Sequence, residues 1–196
     1  MKPIFLASNS PRRATLLSQL GLRFEVRVPH AQEIVLESGS DKDIIHAVCE
    51  NALQKALSIL SVTDEGLIIG GDTLVVTNDS KVLGKPITND EALHMLYTLV
   101  GKTHRVISAV AIVDAKTREA KVGHRWTRVT FRTPSEEELQ QYVHSQEPLG
   151  KAGGYAIQGK GGVLVESIEG SYTGVVGLPI ELVVLFLAHF GFQFTH

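Results

Sequence analysis

LASNSPRRATLL, running from Leu6 to Leu17, marks the passage from a strand into a helix. Ile4, Phe5 and Leu6 form a short apolar strand, and Ser8, Asn9 and Ser10 follow it. Ser is a favoured N-cap residue and Pro a favoured first helical residue, so Ser10 and Pro11 set the boundary. Arg12 and Arg13 then occupy the first helical turn, where the macrodipole disfavours each cation by about 0.3–1 kcal/mol. A bound anion would reverse that sign. Free backbone N–H groups, three small polar side chains and two guanidiniums at such a turn make a cradle for a phosphate or polyphosphate. The plain alternative is a pair of solvated arginines with surface partners.

Outward from this turn, strand and helix patterns alternate. β-branched residues collect at 3–8, 24–28, 67–77, 105–115, 120–132 and 162–168, which predicts strands there. Helices are predicted at 11–20, 41–61, 89–99, 135–145 and 179–190. Asp41, Asn89 and Ser135 are the expected N-caps, with Glu138 completing a capping box after Ser135. Gly21 and Gly191 are the expected C-caps of the first and last helices. The runs 105–115 and 120–132 flank a polar turn and predict an antiparallel hairpin. The order implies an α/β fold with a mixed, twisted sheet flanked by helices. No linker or repeat divides residues 1–196, so one domain is expected, with two lobes around a cleft.

Composition narrows the function classes. The chain has 196 residues, 43% hydrophobic and 20% charged, enough for one substantial core and ordinary for a soluble enzyme. A net charge of −2 argues against a protein that coats nucleic acid. One cysteine, Cys49, excludes an internal disulfide and suits a reducing compartment; it reads as packed rather than catalytic. The first apolar run is too short for a signal peptide. The most apolar helix pattern, Ile180 to Phe190, is about 11 residues long, against about 20 for a membrane span. It reads as a core or subunit-interface helix, and no membrane partner is expected.

Several residues look chemical. In LIIGGDTLVV, Asp72 interrupts an apolar run, where a carboxylate is costly unless it meets a metal, a cation or several donors. Gly70 and Gly71 before it allow a bend or a close approach. The functional reading makes Asp72 a metal ligand or general base with Thr73 beside it; the plain one is a turn or a structural hydrogen-bonding Asp. On a helical wheel Lys55 falls between Ile44 and Val48, inside an apolar sector, so it either snorkels out or meets a buried anion. Lys85, in Gly84-Lys85-Pro86, lies in a loop after the Asp72 strand and alone reads as solvated. Glu33 carries no signal alone, but with Asp72 it could complete an oxygen site for Mg²⁺. The stretch EPLGKAGGYAIQGKGG, Glu147 to Gly162, has six glycines and should be a close-approach loop. Within it Gln158 offers a donor and an acceptor, suited to a base edge. Gly101-Lys102-Thr103 ends like a Walker A motif but has Leu96 where Gly is needed. No two histidines stand four residues apart, which argues against a zinc helix.

Taken together, LASNSPRRATLL, GGDTLVV, GKP, VTFR (Val129 to Arg132), EPLGKAGGYAIQG and VVGLP (Val175 to Pro179) resemble, in this order, the motifs of Maf-like proteins. These are nucleoside triphosphate pyrophosphatases, and the resemblance runs from the first strand to the last helix. It implies an α/β fold with a deep cleft, related to inosine triphosphate pyrophosphatases, a divalent cation (Mg²⁺ or Mn²⁺), a cytoplasmic location and a homodimer. Arg12 after Ser-Pro, Thr73 after Asp72 and Gln158 before Gly resemble the dTTP/UTP branch, where the 7-methyl-GTP branch tends to have Trp, Gln and Glu. The family's catalytic base corresponds to Asp72, and its other charged site residues to Glu33, Lys55 and Lys85, with Ser8 and Arg13 at the triphosphate. Asp72 and Glu33 are the implied metal ligands. Two departures stand out: Gly71 replaces the usual Ala or Ser, and Ala31-Gln32 precedes Glu33 where a second acid is common. The expected reaction is hydrolysis at the α–β phosphoanhydride. The rivals are the same reaction on 7-methyl-GTP, CTP or inosine triphosphate, a non-catalytic nucleotide sensor in cell division, and a phosphatase releasing orthophosphate.

Overall fold

The computed structural model describes residues 2–194. Seven strands form one sheet: β1 (Ile4–Ala7), β2 (Glu25–Arg27), β3 (Leu67–Val76), β4 (Val82–Leu83), β5 (Thr103–Asp114), β6 (Ala120–Phe131) and β7 (Val165–Glu169). The spatial order is β2-β1-β3-β5-β6-β7, with β4 paired to β3 off this path. β1 pairs in parallel with β2 and with β3, while the β3–β5, β5–β6 and β6–β7 pairs are antiparallel. The sheet is therefore mixed, as the sequence pattern implies, and β5 and β6 form the expected hairpin.

Six α-helices cover the sheet: α1 (Pro11–Gln19), α2 (Asp41–Leu57), α3 (Asn89–Leu99), α4 (Glu136–His144), α5 (Tyr172–Val176) and α6 (Ile180–His189). Alternation along β3 and β5 assigns the faces. Leu67 and Ile69 of β3, with Val110 and Ile112 of β5, pack against Leu16 and Leu17 of α1 and Leu182, Val183 and Leu187 of α6. The opposite face carries Ile68, Val76, Ile107 and Ala109 beneath Ile44, Val48, Ala52 and Ala56 of α2. Gly70 lets that helix lie close, since a Cβ there would stand 2.1 Å from the Ala52 carbonyl oxygen. Farther along, Val75, Val106 and Phe131 pack with α3 and α4.

Element ends differ from expectation in instructive places. Ser40, not Asp41, caps α2: its hydroxyl accepts from the Asp43 N–H, and the Asp43 carboxylate accepts from the Ser40 N–H. Thr88, not Asn89, caps α3 by accepting from Glu91 N–H. In both cases a hydroxyl one residue earlier reaches the N3 amide, and the acid or amide falls inside the first turn, where the dipole favours acids. Ser135 and Glu138 form the expected capping box on α4. Ser10 precedes α1 in extended conformation, but its side chain makes no cap bond. Gly21 and Gly191 follow the C-caps Leu20 and Phe190 with φ of 71° and 78°, the left-handed turn that glycine tolerates. α2 ends at Leu57, a 3₁₀ turn follows at Leu60–Val62, and a 3₁₀ turn occupies Lys160–Leu164 where the last strand was expected to begin. Cys49 is half-buried, beside His124.

One feature of the sheet creates a cleft. β1 pairs with β3 only over Leu67–Gly70, and β4 pairs with β3 only at Val75 and Val76. Between them, Gly71 to Leu74 have strand neighbours on the β5 side alone. The gap lies beside the turn from β1 into α1, and the LASNSPRR segment forms its wall.

Candidate active site

The gap opens into a cleft of about 330 Å³ lined by all nine residues singled out in the sequence. Ser8, Arg12 and Arg13 come from the β1–α1 turn, and Glu33 from the irregular segment after β2. Lys55 comes from α2, Asp72 and Thr73 from β3, Lys85 from the loop after β4, and Gln158 from the glycine-rich loop. Four cations thus face one space with two carboxylates, the balance that suits a polyanion.

Asp72 and Thr73 are neighbours in a strand and so point to opposite faces of the sheet. Asp72, 4% exposed, points toward α2. Its Oδ1 accepts from Lys55 Nζ at 2.8 Å, and its Oδ2 accepts from Asn51 Nδ2 at 3.0 Å. Lys55 also pairs with Glu33 at 3.0 Å, so its ammonium sits between two carboxylates. The lysine predicted on an apolar face meets a buried anion and does not snorkel out.

Thr73 points the other way, into a hydroxyl network. Arg13 Nη2 donates to Thr73 Oγ1 at 3.3 Å, and Thr73 lies 2.7 Å from Ser108 Oγ. Ser108 in turn donates to the Gly174 carbonyl at 2.6 Å. Thr73 therefore gives its own proton to Ser108 or to the Gly177 carbonyl at 3.3 Å, and presents mainly its methyl group to a ligand.

The two arginines differ. Arg13 donates to the Gly177 carbonyl at 2.8 Å, to Ser8 Oγ at 3.2 Å and to Thr73, which engages three of the five N–H groups of a guanidinium. It ties α1, β3 and the turn after α5 together and keeps two donors for a ligand. Arg12 makes one bond, from Nε to the Val176 carbonyl at 3.3 Å, which leaves both Nη groups free among the described residues. Burial pushes the pKa of each guanidinium down, opposed at Arg12 by Glu147 and at Arg13 by Asp72. Ser8 is buried, and its oxygen accepts from Ser10 N–H at 3.1 Å and from Arg13, so its own O–H remains available to donate. With no acid in the first turn of α1, the positive end of that helix is left for a bound anion.

The glycine-rich loop forms the facing wall. Gly150 N–H donates to the Pro86 carbonyl and Gly153 N–H to the Gly84 carbonyl, both at 2.9 Å, which fastens this loop to the one carrying Lys85. Gly153 has φ of 68°, and a Cβ there would stand 2.9 Å from the Val75 side chain. Behind Gln158, the Glu147 carboxylate accepts from Lys160 N–H at 3.0 Å and Gly161 N–H at 2.9 Å. The Tyr142 hydroxyl accepts from Ala156 N–H at 3.2 Å.

Asn51, Ser108, Tyr142 and Glu147 were not singled out from the sequence. Asn51 was within reach: on the α2 wheel it falls beside Lys55 in the same apolar sector. Glu147 carries no local signal, because its partners are backbone amides 13 and 14 residues away.

The donor set fits a small, oxygen-seeking dication. Asp72 and Glu33 both reach the Lys55 ammonium, at 2.8 and 3.0 Å, so the two carboxylates stand close enough to share one cation, and among the described residues no group of three His, Cys, Asp or Glu forms. Mg²⁺ commonly takes one or two carboxylates and fills its remaining positions with water and substrate phosphates.

Comparison with known proteins identifies the family of the chain. The family model described as "Maf-like protein" matches residues 3–190. A relative from Desulforamulus reducens is 43% identical over 193 residues, covering 98% of this chain and 99% of its own length. One from Bacillus cereus is 44% identical over 196 residues, covering all of both chains. One from Pelotomaculum thermopropionicum is 41% identical over 193 residues, covering 98% and 99%. Each of the three is named dTTP/UTP pyrophosphatase.

Proposed function

Because the chain belongs to the Maf-like family, we propose that it is a nucleoside triphosphate pyrophosphatase acting on dTTP and UTP. The observation that carries this reading is Asp72: a buried carboxylate held by Lys55 inside a cleft with three further cations. Water attacks the α-phosphorus, the bond to the α–β bridging oxygen breaks, and pyrophosphate leaves with the electron pair. The proton of the attacking water passes to the Asp72 carboxylate, acting as general base. Each Asp72 oxygen has one donor, from Lys55 or Asn51, and a second lone pair left for that proton.

Arg12, Arg13, Lys85 and the Ser8 hydroxyl hold the triphosphate, with the N-terminus of α1 adding its dipole. Charge builds on the leaving pyrophosphate, and these preplaced donors stabilise it as it forms. Asp72 and Glu33 would hold Mg²⁺ or Mn²⁺, which supplies neutralisation of phosphate charge. Gln158 reads the base edge, while Arg12 and the Thr73 methyl group shape the pocket. Gln158 is exposed in the open cleft, so selection arises when a base covers its amide: a base that covers it without pairing it is disfavoured. The same proposal includes a homodimer and a cytoplasmic location, both carried by the family resemblance. No helix among the described residues is long and apolar enough to cross a membrane.

A product-resolved assay on purified protein tests the reading. With dTTP and UTP it should yield the monophosphate and pyrophosphate. Orthophosphate, binding without product, or a preference for 7-methyl-GTP or CTP would each overturn it. Sedimentation of the purified chain tests the dimer.

A further inference from the structure

Asn51 lies one turn before Lys55 on α2 and is 2% exposed. A buried amide is costly unless its groups are paired. Here Oδ1 accepts from the Ile34 N–H at 2.7 Å. Nδ2 donates to the Ile34 carbonyl at 3.0 Å and to Asp72 Oδ2 at 3.0 Å. One side chain thus grips both backbone groups of the residue after Glu33 and one oxygen of Asp72.

Beside this grip, the segment is held by His30 N–H donating to Ser58 Oγ at 3.2 Å, by the Glu33–Lys55 pair and by Leu36 packing against the core under α2. Residues 28–36 have no regular secondary structure, and Ile34 and Val35 are 37% and 84% exposed. Apolar packing reaches the segment at Leu36, three residues past Glu33, while the backbone next to Glu33 is held at Ile34 by Asn51. The carboxylate of Asp72, for its part, can rotate about its terminal torsion unless both oxygens are engaged. Lys55 holds Oδ1 and Asn51 holds Oδ2, which fixes the plane of the group.

We infer that Asn51 is a positioning residue that sets the separation and relative orientation of Asp72 and Glu33. It touches neither the triphosphate nor the base; it acts through the two carboxylates. The inference rests on the proposed reaction for its kinetic consequence, but the clamp on Ile34 can be measured without turnover.

The test uses the purified chain with Asn51→Leu, which keeps the branched heavy-atom shape and removes every polar contact, and Asn51→Ser, which is smaller and leaves room for water should the first fail to fold. Three readouts are taken well below each melting temperature. A misplaced carboxylate should lower kcat for dTTP about 100-fold. Affinity for a non-hydrolysable α,β-imido analogue should stay within about threefold, because the triphosphate donors are elsewhere. Loss of the Ile34 bonds should speed amide exchange at residue 34 by about tenfold or more, while β3 keeps its protection. A merely structural asparagine would change the affinity along with kcat, or leave exchange at Ile34 untouched, and either result overturns the inference. So does a kcat within threefold of wild type in a folded variant. Should wild type release no pyrophosphate from dTTP or UTP, the proposed reaction fails, while exchange at Ile34 still decides whether the clamp exists.

Discussion

Replacing Lys55 by methionine isolates the buried pair at the centre of the site. The side chains of Lys55 and Asp72 are 8% and 6% exposed and lie 2.8 Å apart. Methionine keeps the stem of the lysine but removes the charge, leaving Asp72 with Asn51 as its remaining hydrogen-bond donor. Breaking one side of a buried pair costs about 3–5 kcal/mol, because an uncompensated charge stays out of water. At about 2–4 °C per kcal/mol for a chain of this size, Lys55→Met should melt about 6–20 °C below wild type. The second half of the test is the double variant Lys55→Met with Asp72→Asn. Removing both charges is close to neutral in stability, so the double variant should melt well above the single one. Glu33 does not spoil the comparison, since its side chain is 41% exposed and water can solvate it once Lys55 is gone. Calorimetry in the presence of a chelator keeps any divalent cation from standing in for the ammonium. A single variant that melts within 2 °C of wild type, or a double variant that melts no higher than the single one, would refute the account of a buried and mutually dependent pair.

Asp72→Asn alone keeps the shape of the side chain and should leave nucleotide binding by titration calorimetry intact. It should reduce pyrophosphate release by about 10²–10⁴-fold, the usual range for loss of a general base. Glu147→Gln retains one acceptor for two backbone amides and turns an N–H toward the other, loosening the loop behind Gln158. A lost hydrogen bond of about 1 kcal/mol predicts a KM for UTP raised several-fold with kcat nearly unchanged, read from steady-state kinetics. Stability should also depend on pH through His104, which burial holds down to about 4 from an ordinary 6.5. The unfolded chain then binds the extra proton first, so stability is full above about pH 6.5 and falls as pH drops toward 4, by about 3 kcal/mol in all. Urea unfolding at pH 7.0 and pH 4.5 measures this, and His104→Gln, which can still accept from Tyr155, should show a smaller difference between the two.

Much of the site was legible because its signals are local. Asp72 breaks an apolar run, Lys55 falls in an apolar helical sector, and two arginines stand at the wrong end of a helix for cations; each is an oddity within a dozen residues. Glu33, Lys85 and Gln158 have no such oddity, and the family resemblance supplied them. The helix caps at Ser40 and Thr88 were missed by one residue, because Ser–Asp and Thr–Asn pairs offer two competent capping groups and only backbone geometry selects between them. Thr73 stood out as the neighbour of Asp72, and nothing near it in the sequence shows where its hydroxyl proton goes. That proton goes to Ser108 or Gly177, 35 and 104 residues away, a distance along the chain that no local pattern spans.

The amino-acid order by itself determined the strand–turn–helix cradle, the mixed α/β sheet with its central hairpin, and the ionisable residues drawn into one reaction, because hydrophobic period, capping chemistry and charge out of place are properties of neighbours. Tertiary structure alone decided where the cleft opens and what braces it. The gap at Gly71–Leu74 exists because β1 ends early on β3 and β4 begins late. Asn51 can hold Asp72 and Glu33 in register only because α2 lies close over Gly70. Both follow from strand register and helix approach, which the chain settles through contacts between distant residues.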